Sequence, residues 1–410
     1  MRRLLSATSR AAVVAASALA VSTTAFAEPP SSPLSEAAAA AASSSSSSSA
    51  PPSSSVAVRS RAAQGLLETI GNTPLVELRS LSQATGCRIL AKCEHMGPGG
   101  SVKDRPAAHI ITELERRGLL VPREARDAAG DARTFTIVEG TGGNTGVGMA
   151  LVAAARGYKA VFTMPSNVAQ SKIDVARAFG AEVIVCPMVP FSDARHYYHV
   201  AERLSRELPN AVWGNQFEGL DNSESHFLTT GPEIFRQAGK DVDGLVVAAG
   251  TGGTMGGLSR FLRSVNPRLA VWLIDPPGSS LAHYVETGEM APAAGSTVTE
   301  GIGIGRLTAN FASSAKIDGA FRGSNEEATA MCYYLLRREG IFVGPSAALN
   351  VVGAVKLARK LGPGHTVVTV LCDGGSRYMN KMYSPEWLKE QGLEAAADVD
   401  ASRAHADFVL

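Results

Sequence analysis

The sequence predicts an α/β fold of two domains, each built on a mostly parallel, twisted sheet. Three observations carry that expectation. Strand-like apolar runs alternate with helical ones, glycine-rich turns follow two of those runs, and 45% of the 410 residues are hydrophobic, enough for large buried cores.

The elements follow in order. FTIV precedes TGVGMALVAAARG, KAVFTM precedes SKIDVARAFG, and EVIV comes next; later LVVAAG leads into TMGGLSRFLRSV and then LAVWLID. Runs of four to seven apolar residues bounded by glycine or polar clusters suit buried strands, and the longer periodic runs between them suit crossover helices. The smaller domain is expected over residues 97–214. The larger takes 62–96 and 215–392, with a frayed C-terminal tail over 393–410.

The first sixty residues differ in kind. Arg2, Arg3 and Arg10 precede the first acidic residue, Glu28, and residues 11–27 are uncharged but rich in Ala, Ser and Thr. Residues 1–28 read as a targeting segment, either an organellar transit peptide or a secretory signal ending at Ala-Phe-Ala, with the mitochondrion favoured. Residues 29–61, an Ala/Ser/Pro tract with serine at every position from 43 to 49, read as a disordered linker. Five scattered cysteines without a CxxC pair argue against a disulfide framework and favour a reducing compartment; no metal-ligand spacing is found. With 39 basic and 38 acidic residues there is no global basic field for nucleic acid, and no run is apolar and long enough to span a membrane.

Three short stretches carry chemistry. Gly250-Thr251-Gly252-Gly253-Thr254 joins a strand to a helix start, a geometry in which backbone N–H groups and the helix dipole converge on an anion. Met255 stands where a dinucleotide fingerprint needs glycine, and the Gly-Lys pair of a Walker loop is missing, so the monophosphate of another cofactor fits best. The loop EGTGGNTGVG, 139–148, crowds Thr141, Asn144 and Thr145 among bare amides, a natural seat for a carboxylate, although Asn144 and Thr145 also suit plain helix caps. In GPGGSVKDRPA, Ser101 and Asp104 form a capping-box pattern that places Lys103 in a first helical turn. There the dipole opposes its charge, and burial would depress its pKa further, suiting it to Schiff-base or general-base work. A cofactor with an aldehyde and one phosphate, acting on an amino acid, unites the three: pyridoxal 5'-phosphate.

GNTPL (71–75), GGSVKDRPA (99–107), GTGGNTG (140–146), GTGGT (250–254) and TEGIG (299–303) occur in that order. Together with 216–234 and 364–388 they resemble the cysteine synthase (O-acetylserine sulfhydrylase) family of pyridoxal-phosphate enzymes, over about residues 62–392. The resemblance implies the tryptophan synthase β-like fold, fold type II, and replacement of the acetoxy group of O-acetyl-L-serine by sulfide. It implies that Lys103 condenses with the cofactor aldehyde, that Asn144 meets the ring's phenolic oxygen, and that Gly250, Thr251, Gly252, Gly253 and Thr254 hold the phosphate. Thr141, Gly142, Thr145 and Gln216 would receive the substrate carboxylate, and Gly301 would border the pocket. It also implies a homodimer, whereas nothing in the sequence supports a serine acetyltransferase partner.

Four departures stand out: Gly97 where the family has Asn before Pro, Gly142 where it often has Ser, no Ser-Gly after Ser346, and Gly374 in place of the serine opposite the pyridine nitrogen. Asp373, Ser376 or water would have to replace that last hydroxyl. The alternatives are a cystathionine β-synthase-like enzyme, a sulfhydrylase using O-phosphoserine or serine, and a non-catalytic regulatory relative.

Overall fold

The computed structural model describes residues 62–292, 295–399 and 406–410; the segments 1–28 and 29–61 read above as targeting and linker lie outside the described residues. In chain order the strands are β1 (Leu75–Glu77), β2 (Arg88–Lys92), β3 (Thr136–Gly140), β4 (Lys159–Pro165), β5 (Glu182–Cys186), β6 (Ala211–Trp213), β7 (Gly244–Val247), β8 (Ala270–Asp275), β9 (Gly319–Arg322) and β10 (Thr366–Val370). The helices that place the site are α1 (Asp104–Arg116), α2 (Asn144–Arg156), α3 (Gln170–Ala178), α4 (Tyr197–Glu207), α5 (Gly253–Val265) and α6 (Pro345–Leu361).

One sheet has the order β1-β2-β10-β7-β8-β9, parallel except for β1. The other, β5-β4-β3-β6, is parallel throughout. Alternation along the larger sheet sorts its side chains onto two faces. Val246, Ile274 and Val367 pack with Val351, Val352 and Val355 of α6, while Leu245, Val247, Leu273 and Val368 pack with Leu258, Phe261 and Leu262 of α5. Both faces are covered, which is why these strands read as unbroken apolar runs. In the smaller sheet Ile137 and Phe162 pack with Met149, Leu151 and Val152 of α2. Each burial removes apolar surface from water at roughly 25 cal/mol per Å².

The tail departs from expectation. Leu393, Ala397, Ala406 and Val409 are buried in the α6-side core, and Arg359 donates to the Ala406 carbonyl at 2.9 Å. These four apolar side chains seat the described parts of the tail, 393–399 and 406–410, instead of leaving them frayed.

A buried ionic network fixes the start of α1. Arg105 bonds Glu94 at 2.7 and 2.8 Å and Glu233 at 2.7 Å through two nitrogens. Lys92 completes it, donating to Glu233 and to the Thr73 carbonyl at 2.7 Å each. The strings GNTPL and KDRP are therefore tied together two residues from Lys103.

Candidate active site

The loops after β3, β7 and β10 converge on a single cleft, as expected for ligand sites at the carboxyl ends of parallel strands. It encloses a cavity of about 360 Å³. Lys103, Thr141, Gly142, Asn144, Thr145, Gln216, Gly250, Thr251, Gly252, Thr254 and Gly301 all line it. Of the residues the resemblance assigns to cofactor or substrate only Gly253 does not, because it opens α5 behind the turn, where an added Cβ would overlap the Asn222 side chain.

Lys103 does not sit in a first turn. Ser101 pairs with Asp373 in an isolated bridge, the Val102 amide bonds the Cys372 carbonyl at 2.7 Å, and a turn closed by the Asp104 amide on the Ser101 carbonyl at 3.1 Å leads into the helix. The helix begins at Asp104, Lys103 is its cap residue, and Asp104 turns back to accept from the Gly99 amide at 2.8 Å. The consequence for Lys103 is the one expected by another route: burial lowers its pKa, and the nearby Cys372 and Asp373 only partly restore it.

The turn at 250–254 is built from both sides. Thr251 Oγ1 accepts from Asn222 at 2.9 Å, and the Thr251 carbonyl accepts from Thr308 at 2.8 Å. Gly252 has φ +84° and lies against the Phe311 backbone; a Cβ on Gly250 would overlap the Gly301 carbonyl. The turn opens α5, and a helix start carries backbone amides without partners inside the helix, a seat for an anion. In the other loop Thr141 Oγ1 accepts from the Gly143 and Gly146 amides at 3.0 and 3.3 Å, and Thr145 donates to Gln216 at 2.5 Å. Gln216 also donates to the Gly140 carbonyl at 2.8 Å.

Asn144 opens α2 and lies between Asp373, 2.8 Å from its amide nitrogen, and Arg377, 2.7 Å from its oxygen. Asp373 also accepts from the Tyr378 hydroxyl at 2.7 Å and does not line the cavity; Ser376 is exposed away from it. Asp373 is therefore turned to Asn144 and Tyr378, while Ser376 Oγ, 3.9 Å from where a Cβ on Gly374 would stand, is the nearest side-chain atom to the missing hydroxyl. Ser346 and Cys372 do line the cavity, Cys372 with its thiol pushed up to about 12 by burial and hence neutral. The residues fit a pyridoxal phosphate: a desolvated amine and a glycine turn packed so closely that Gly250 and Gly252 have no room for a Cβ line one cavity.

Sequence reasoning passed over Lys172, Glu300, His196, Tyr197, Ser346, Asn350 and Cys372, which also line the cleft. Glu300 lay inside the quoted TEGIG, and Lys172 inside a run read only as helix; a lysine at the start of that run was the available signal.

The profile of the family described as pyridoxal-phosphate dependent enzyme matches residues 66–373. Cysteine synthase of Dictyostelium discoideum is 44% identical over 346 residues, spanning 82% of this chain and 88% of that protein. Cysteine synthase 1 of Neurospora crassa is 46% identical over 337 residues, spanning 82% and 87%. Among solved structures, the O-acetylserine dependent cystathionine beta-synthase of Helicobacter pylori superposes with TM-score 0.68 at 30% identity, covering 78% of this chain and 98% of that one. With a desolvated lysine facing an anion cradle, and with relatives of this identity spanning most of its length, the chain belongs to the pyridoxal-phosphate dependent enzymes.

Proposed function

We propose that this protein is a cysteine synthase, exchanging the acetoxy group of O-acetyl-L-serine for sulfide to give L-cysteine and acetate. The observation that carries the reading is the single cavity shared by Lys103, the 250–254 turn and the 141–145 loop. The similarity to proteins named cysteine synthase supports it.

Lys103 would hold the cofactor through its Nζ, the Gly250–Thr254 amides its phosphate, and Asn144 its ring. When bound, pyridoxal phosphate supplies an electron sink for the pair left at Cα, which no side chain provides. Lys103 Nζ, freed when the substrate's amino group takes its place and kept easy to deprotonate by burial, would take the α-proton and return it. Thr141, Thr145 and Gln216, with the Gly142 backbone, orient the α-carboxylate so that the Cβ–O bond faces the incoming sulfur. The Cβ–O bond breaks with loss of acetate and the Cβ–S bond forms. Closure of the 141–145 loop over the carboxylate, with Gly301 at the border, excludes water between those events.

The test is to supply the purified, cofactor-loaded protein with O-acetyl-L-serine and sulfide and measure cysteine formed, with O-phospho-L-serine and L-serine as alternative donors and homocysteine as alternative acceptor. Cysteine formation from O-acetyl-L-serine with sulfide preferred over homocysteine is expected; no turnover with any donor would overturn the reading. Preference for homocysteine would favour a cystathionine β-synthase-like enzyme. That second reading draws on the Helicobacter neighbour, while the cystathionine beta-synthase of Mus musculus is 37% identical and the chain spans 56% of its length. A homodimer and delivery to the mitochondrion belong to the same proposal. Light scattering of the purified protein tests the first, and import of a fluorescent fusion to residues 1–61 the second.

A further inference from the structure

Lys172 is a buried cation with no part in the chemistry above. It leaves α3, is 2% exposed, and runs beneath the 140–146 loop: a Cβ on Gly143, whose φ is +124°, would overlap its side-chain stem. Its ammonium meets Glu300 Oε2 at 2.6 Å and the Tyr378 hydroxyl at 3.3 Å, and lies 5.0 Å from the Tyr378 ring centroid. Glu300 takes a second cation, Lys381, at 2.5 Å. Burial alone would raise the Glu300 carboxyl, but the two lysines hold it below the usual range, so it is ionised. Lys172 and Glu300 both line the cleft, and Glu300 immediately precedes Gly301.

These contacts join three separate pieces of chain around the cavity mouth: α3 beside the smaller sheet, the 299–303 loop, and the segment after β10. Two ammonium groups share one carboxylate: Lys172 is buried and paired with Glu300 under the loop that would receive an α-carboxylate, and Lys381 reaches the same carboxylate from a partly exposed position.

We propose that Lys172 is a positioning residue that, anchored by Glu300, locks the 140–146 loop to the 299–303 loop and selects amino acids by their α-carboxylate. The inference rests on the reading of that loop as the carboxylate seat, but not on the identity of the leaving group. Its test therefore uses a ligand without one: L-methionine, and L-methioninamide, which lacks the carboxylate, titrated into the cofactor-loaded protein while the cofactor's absorbance is followed.

Lys172→Met is expected to weaken L-methionine binding about tenfold or more, with L-methioninamide changed less than about twofold. Glu300→Gln is expected to give a smaller loss of the same kind, and the double variant no greater loss than Lys172→Met alone, since both act through one contact. With O-acetyl-L-serine, KM should rise while kcat stays within about threefold. Equal weakening of both ligands, unchanged L-methionine binding, or additive losses would overturn the proposal. Failure of the wild-type protein to turn over O-acetyl-L-serine would overturn the proposed function and leave the binding comparison able to decide this one. If Lys172→Met does not fold, Glu300→Gln carries the same contrast between the two ligands.

Discussion

Two loops of nearly the same sequence, GTGGT at 250–254 and GTGGNTG at 140–146, both follow a strand and open a helix, yet they are built differently. The first is backed everywhere: Gly250 by the Gly301 carbonyl, Gly252 by Phe311, Gly253 by Asn222. The second is exposed at Gly142, where an added Cβ would meet nothing within 4 Å, and is held mainly through Thr141, Thr145 and the stem of Lys172. A ligand that stays bound through many turnovers is served by a seat with no freedom. A ligand that enters and leaves each cycle needs a seat able to close on it.

Lys103→Ala breaks the comparison altogether, because both seats then face a cavity without its reactive amine. Turnover should fall by at least about a thousandfold and the visible absorbance of the lysine-bound cofactor should vanish. Retention of either would show that Lys103 is not the residue the two loops serve. A subtler break separates them. Gly250→Ala should weaken cofactor binding by about a hundredfold or more, since its Cβ meets backbone that cannot step aside, whereas Gly142→Ala should leave cofactor affinity unchanged. Equilibrium dialysis of the cofactor decides it; equal effects at the two glycines would mean the loops are not the distinct seats described.

Much of this was legible in the chain, and the limits have physical causes. Strands buried on both faces announce themselves as apolar runs, and a glycine turn between strand and helix announces an anion seat, so both the parallel sheets and the 250–254 turn followed from local pattern. Lys103 was picked out for a local reason that the structure does not keep, although burial and the cavity it lines give it the environment expected. The capping pattern of Ser101 and Asp104 lost to a long-range pairing of Ser101 with Asp373, which no local rule encodes. Lys172, Glu300 and Tyr378 were missed on the same ground, since their meeting spans 128 and 206 positions of sequence. The tail was misread because its apolar residues are spaced too widely to form a periodic pattern, though each finds the α6-side core.

The network around Arg105 should matter to the whole molecule and to neither loop in particular. Arg105→Met leaves buried Glu94 with no cation and only the Thr73 hydroxyl, and Glu233 with Lys92 as its one remaining cation, and should cost about 3–5 kcal/mol of unfolding free energy. Denaturant melts of the cofactor-loaded protein measure it, and a loss below about 1 kcal/mol would show that the cluster is dispensable.

The smallest effect sharpens the contrast between the seats. Glu139 ends β3 just behind the carboxylate loop, fully enclosed, with Oε1 unpartnered, and burial pushes its carboxyl up to about 8 despite amide contacts from Gln216 and its neighbours. The folded state therefore keeps a proton that the unfolded chain releases near its ordinary value of 4.5. The stability this confers is complete below that value and is lost as pH rises through about 8. Glu139→Gln should abolish this part of the slope, flattening the fall in unfolding free energy between roughly pH 5 and 8. An anion forming there also opposes an incoming α-carboxylate without reaching the 250–254 turn. Above about pH 8 the KM for the amino-acid substrate should then climb in the wild type and stay flat in Glu139→Gln, with cofactor affinity following the same course in both. A parallel rise in the two proteins would place the charge sensed by the carboxylate loop somewhere other than Glu139.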